Sequence, residues 1–251
     1  MIRWKSFSFH MPNAAPEIVL LQKKVFDSLD EPLEQIQDSC SHGEFLTQTL
    51  RENAHNLDVV VFFDLDCIPL KTGVVQRAIR AAMDHEMIIG CAYQANHIEE
   101  QKMFDKRRNW PIVLRKLDSL RICFCKLAGI DPFHFKNPLI IAGPCFLVVP
   151  TEIYRFVGSP TLVVTSRADA AGELTIACRE RGVKVICLQP TYCHVPKYKL
   201  GNQRRLGLGT IFGRCIFHAF ETTYLHNSQS ASLFQRYCKD VISGTQQRPS
   251  R

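Results

Sequence analysis

Asp64 and Asp66 stand directly after the apolar run Val59-Val60-Val61-Phe62-Phe63, with Leu65 between them. Carboxylates that share a small space repel, and one takes up a proton unless a cation supplies counter-charge. If the backbone bends at Leu65, both acids turn toward one point and can hold a divalent ion. The alternative is a surface turn with two solvated acids. The abrupt change from five apolar residues to a paired acid favours the metal reading.

The run itself is β-rich and apolar without alternation, the pattern of a strand buried on both faces within a mainly parallel sheet. Ligands of open α/β sheets collect at the carboxyl ends of such strands, where these acids lie. Around it the chain alternates strand and helix. A strand is expected over residues 2–10. A helix entered through Pro16 follows, with Ile18, Leu21, Val25 and Leu29 on one face. A short strand over 33–36 and a helix over 44–53 come next. Beyond the acids, a helix capped by Thr72 runs to about His85, and Met87 to Cys91 form the next strand. Gly143 and Pro144 split the apolar stretch 138–150, predicting a bend between strand segments. A helix beginning at Ser166 or Asp169 ends at Gly182, before a strand over 183–188. Residues 93–137 give an exposed loop and then an amphipathic or irregular element. Lys106, Arg107 and Arg108 beside Trp110 are either a solvated face or an acceptor contact.

A chain of 251 residues, 46% apolar and 22% charged, suits one α/β domain. No apolar stretch approaches the roughly 20 residues that cross a bilayer. The first residues lack the continuous apolar core of a secretory signal, so a cytoplasmic location is expected. The 11 cysteines do not form a disulfide framework, because Cys91, Cys145, Cys178 and Cys187 sit inside apolar runs. Cys123 and Cys125 have no second pair to complete a zinc site. The net charge of +7 and pI near 8.9 favour anionic partners: a nucleotide diphosphate, an anionic glycan or lipid surface, or nucleic acid.

The stretch VVVFFDLD resembles the nucleotide-sugar glycosyltransferases of the GT-A fold, in which a hydrophobic strand runs into Asp-x-Asp. The resemblance implies a GT-A-like α/β domain over residues 1–243, with a central mainly parallel or mixed sheet flanked by helices. Residues 1–92 would bind the nucleotide, 138–243 would carry acceptor and catalytic groups, and 244–251 would be a polar tail. It implies Mn²⁺ or Mg²⁺ on Asp64 and Asp66, with His218, or His226 after it, completing the shell. His10 and Asn13 become nucleotide contacts, and Ala142-Gly143 borders the donor sugar and the acceptor. Glu173 is the leading general base and Asp169 its rival, four residues apart on one helical face; the adjacent Glu-Asp pair of the commonest inverting family is missing. The segment 191–213 contains no acids but carries Lys197, Lys199, Arg204 and Arg205, so it reads as a mobile lid over a diphosphate. The acceptor is left open among a glycan, a lipid-linked sugar, a protein and a nucleic-acid base. Two other classes stay in view: a metal-dependent nucleotidyltransferase or phosphotransferase, and a basic nucleic-acid-binding protein.

Overall fold

The computed structural model describes residues 2–94, 111, 113–114, 117, 140–165, 168–194, 208–220, 222 and 228–245. Strands β1 (Trp4–His10), β2 (Glu34–Gln37), β3 (Val59–Asp64), β5 (Met87–Gln94), β6 (Ile140–Pro150) and β7 (Lys184–Leu188) form a six-stranded sheet in the order β2-β1-β3-β6-β5-β7. β1 pairs in parallel with β2 and β3, and β5 in parallel with β7. β6 runs antiparallel to both of its neighbours, β3 and β5. The fold is therefore α/β with a central mixed sheet flanked by helices, and β3 is an interior strand whose acidic end lies at the carboxyl edge.

The buried strand of the sequence is realised residue by residue. Val59, Val61 and Phe63 enter one core layer with helices α1 (Pro16–Ser28) and α3 (Val74–Asp84) and the C-terminal helix α6 (Ser228–Ile242). Val60 and Phe62 enter the opposite layer with α2 (His42–Asn53), α4 (Thr151–Phe156) and α5 (Gly172–Glu180). All five are at most 2% exposed. Period-two side chains pointing to both sides of the sheet leave no polar face, which is why the run has no alternation.

A second sheet, absent from the sequence reading, lies beside the first. β4 (Cys67–Pro69), β10 (Ile216–Ala219), β9 (Gly209–Phe212) and β8 (Pro190–His194) are antiparallel neighbours in that order. The three residues directly after Asp66 form β4. Both ends of the expected lid are thus strands, and Lys197, Lys199, Arg204 and Arg205 between them lie outside the described residues.

Local details correct other expectations. The N-cap of α3 is Gly73 at φ 71°, not Thr72. Its own amide donates to the buried Glu31 Oε1 at 3.0 Å, and no side chain caps the helix. The N-cap of α5 is Ala171 at φ 64°, and Asp169 precedes the helix instead of sharing a face with Glu173. The bend at Gly143-Pro144 appears as a register jump, with Gly90 opposite Leu147 but Cys91 opposite Gly143. Proline tolerates that irregular place because no ladder donor is needed there. The basic residues 106–108, Trp110 and the Cys123–Cys125 pair are outside the described residues.

Helix α2 is seated with little tolerance. A Cβ on Gly43 would lie 2.5 Å from the Val163 Cα and 2.7 Å from the Leu162 carbonyl oxygen. Thr47 Oγ1 meanwhile accepts the Leu162 amide at 2.8 Å. Gly43→Ala should therefore cost about 1–3 kcal/mol, despite the better helix propensity of alanine, because backbone must move. Urea unfolding of the two proteins measures this directly.

Candidate metal centre

Asp64 ends β3, and two residues later Asp66 precedes β4. Between them the chain turns from one sheet into the other, and the turn is held from behind. Gln22, fully buried on the inner face of α1, donates through Nε2 to the Asp64 carbonyl at 2.8 Å and to the Cys67 carbonyl at 3.0 Å. Its Oε1 accepts from Gln35 at 3.0 Å. The Asp66 carbonyl accepts the Ala219 amide at 2.9 Å. With the backbone fixed on both sides, the two carboxylates keep one relative placement.

The second sheet brings the third donor. His218 on β10 stands opposite Cys67 on β4, which sets its ring beside the acids. Its Nε2 lies 3.2 Å from Asp66 Oδ1 and 3.6 Å from Asp64 Oδ2. Asp64, Asp66 and His218 each offer one ligand atom, all within 4.8 Å of one another. Asp66 and His218 are buried at 5% and 7% exposure, while the Asp64 side chain keeps 24% and opens the cluster to solvent. Asp66 Oδ2 is turned outward from the cluster and accepts Thr222 Oγ1 at 2.7 Å. Two carboxylate oxygens and one imidazole nitrogen match the hard-to-borderline donors taken by Mn²⁺ or Mg²⁺. The residues present therefore fit a divalent cation, and His218, identified by position alone, lies beside both acids.

Burial and close charge shift the titration of these groups. Burial pushes the Asp64 carboxyl up to about 6, against the opposing pull of His42 and His218. Burial alone would lower His218, but Cys145 and Asp66 beside it outweigh that and hold it well above its ordinary value. Behind the acids, burial raises the thiols of Cys67 and Cys91. Hydrogen bonds from those two, with His218 nearby, hold Cys145 below its usual range. Without a cation the cluster shares protons and charge among neighbours.

The other expected residues divide. His10 ends β1 one step past Phe9, the register partner of Asp64, so it reaches the same edge of the sheet. Its Nδ1 donates to the Met11 carbonyl at 3.3 Å. Asn13 is exposed in the following turn. Gly143 is required by packing, because a Cβ there would meet the Tyr93 Cβ at 2.8 Å. Burial, then Asp169, Cys145 and Asp64, raise the Tyr93 phenol. Glu173 is 9% exposed and accepts Thr165 Oγ1 at 2.6 Å. His226 lies outside the described residues.

Sequence reasoning missed three contributors. Gln22 breaks the apolar stripe of α1 between Ile18 and Val25, which is the mark of a buried polar residue with a partner. Thr222 follows β10 too closely to stand out. His42 lies 3.3 Å from Asp64 Oδ1; the Ser41-x-x-Glu44 capping box, which places it at a helix start after a strand, was the available signal.

No protein-family model matches the chain, and no curated protein matches it. Among solved structures it is similar to the crystal structure of A197 from STIV, with a TM-score of 0.44 and 9% identity over 86% of this chain and 93% of that one.

The raised Asp64 carboxyl has a stability consequence with a definite sign. An acid that binds its proton more tightly when folded opposes folding once ionised. The metal-free protein therefore gains stability as pH falls through about 6. Asp64→Asn should stabilise the metal-free chain by about 1–3 kcal/mol near neutral pH, and the gain should vanish near pH 4. Denaturant midpoints at the two pH values, with chelator present, check it.

Proposed function

We propose that the chain is a metal-dependent glycosyltransferase that moves a sugar from a nucleotide-sugar donor to an acceptor hydroxyl. The observation that carries this reading is the convergence of Asp64, Asp66 and His218, from two different sheets, at the carboxyl end of β3. A GT-A-like assignment accounts for this together with the mixed sheet. The nine free cysteines among the described residues support a reducing, cytoplasmic setting.

A divalent ion held by Asp64, Asp66 and His218 would supply the positive charge that a departing diphosphate needs. The protein's own groups have separate tasks. The backbone bonds from Gln22 and Ala219 keep the two acids in place, and β1 brings His10 to the edge where a nucleotide would lie. An acceptor hydroxyl must lose its proton as its oxygen bonds to the anomeric carbon and the bond to the diphosphate oxygen breaks. A carboxylate takes that proton, and the course is then inverting. Both carboxylates accept a hydrogen bond, Asp169 Oδ1 from the Ala170 amide at 2.8 Å and Glu173 Oε1 from Thr165 Oγ1 at 2.6 Å, but Asp169 is part-exposed while Glu173 is buried. Asp169, the less buried of the two, is therefore proposed as base and Glu173 as a support of the 165–173 turn, the reverse of the order expected from sequence. The basic residues Lys197, Lys199, Arg204 and Arg205 are proposed to meet the diphosphate.

A panel of nucleotide-sugars incubated with Mn²⁺ or Mg²⁺ should reveal one donor that is slowly hydrolysed, because transfer to water needs no acceptor. Chelation and Asp66→Asn should each abolish the reaction. Release of pyrophosphate from nucleoside triphosphates in place of sugar would transfer the site to the nucleotidyltransferase class. Once an acceptor is known, Asp169→Asn should lower single-turnover transfer by roughly 10²–10⁴-fold, with Glu173→Gln losing less. The opposite ranking would restore Glu173 as base.

A further inference from the structure

The Asp64 carboxylate stands between two imidazoles. Its Oδ2 faces His218 Nε2 at 3.6 Å and its Oδ1 faces His42 Nε2 at 3.3 Å. His218 belongs to the ligand cluster and is buried, but the His42 side chain is 34% exposed and comes from another layer of the fold. Nothing in the cation site as described uses it.

Its placement is built. His42 is the first residue of α2, whose start is fixed by the reciprocal bonds of Ser41 and Glu44. The next residue, Gly43, presses against the backbone at 162–163. The ring lies parallel to Phe9, 7° between planes with centroids 6.0 Å apart, and Phe9 stacks in turn on Phe45 at 4.9 Å. Phe9 is the register partner of Asp64 across β1 and β3. The imidazole is therefore held by helix, glycine seat and aromatic stack in one orientation, with a ring nitrogen toward the acid.

We propose that His42 is the positioning residue of the cation site, resting on the reading of Asp64, Asp66 and His218 as its ligands. With a proton on Nε2, 3.3 Å from Asp64 Oδ1, it would engage that oxygen and hold Oδ2 toward His218 and Asp66. A carboxylate free to rotate offers the cation either oxygen and a range of angles. One whose outer oxygen is already hydrogen-bonded offers a single lone-pair direction. Outer partners of this kind are worth about 10–100-fold in metal affinity.

The test is titration of the full chain with Mn²⁺ alone, followed by the loss of free-ion electron paramagnetic resonance signal, for wild type, His42→Phe and His42→Gln. Phenylalanine keeps the stack on Phe9 and removes the donor; glutamine keeps a donor nitrogen at similar reach. His42→Phe should weaken Mn²⁺ binding by about 10–100-fold, while His42→Gln recovers most of the affinity. Urea midpoints recorded beside the titrations show whether either variant is unfolded. Wild-type affinity in a folded His42→Phe protein overturns the proposal and leaves the ligand triad intact. Glutamine as weak as phenylalanine also overturns it, since the effect would not follow the donor. Absence of Mn²⁺ binding in the wild type removes the triad itself, and His42's role with it.

Discussion

The constraint on which this structure depends is the placement of two carboxylates at the end of a strand that is buried on both faces. Val59 to Phe63 are closed off from water on each side, so the chain reaches Asp64 and Asp66 with little solvent to spread their charge. Ionised carboxylates that close, in a medium of low effective dielectric, repel strongly. Much of the neighbouring architecture answers that repulsion. Thr222 occupies one oxygen of Asp66, His42 and His218 flank Asp64, and burial above all, with Cys145 and Asp66 adding to it, still raises the Asp64 carboxyl. A cation bound there would remove the remainder and would couple the folding free energy to metal occupancy.

The division of labour between the two sheets follows from the same constraint. The six-stranded sheet provides the rigid, dry strand that delivers the acids; the four-stranded sheet provides the imidazole. Neither is a site alone. The link is the Asp64-Leu65-Asp66 turn, braced from α1 by Gln22 and from β10 by the Ala219 amide. The braces cost burial of a polar side chain, which is tolerated because Gln22 satisfies three partners at once. A site carried on strands and on a braced turn keeps its ligands closer to one geometry than a free loop does.

Much of this was legible in the chain, for reasons that can be named. A run of five apolar β-formers has few structural solutions, so β3 and its acids were readable. The helical stripe of Ile18, Leu21, Val25 and Leu29 led to α1, and the Met87–Cys91 run to β5. The second sheet was not readable, because β4, β9 and β10 are only three or four residues long and their alternation is too short to register. Asp169 was misplaced because a left-handed Ala171 starts α5, a conformation that residue type does not announce. His42 was overlooked because the Ser41-x-x-Glu44 capping box places it at a helix start without saying what that start faces. Its meaning comes from Phe9 and Asp64, which lie 33 and 22 residues away in sequence and touch it only after β1, β3 and α2 assemble.

The central claim is that Asp64, Asp66 and His218 hold one divalent cation. Its most direct measurement is anomalous scattering from crystals of the chain grown with Mn²⁺. The account predicts a single strong peak within about 2.5 Å of a carboxylate oxygen of Asp64, a carboxylate oxygen of Asp66 and a ring nitrogen of His218. A peak bound elsewhere, or an empty cluster with Mn²⁺ at saturating concentration, would contradict it.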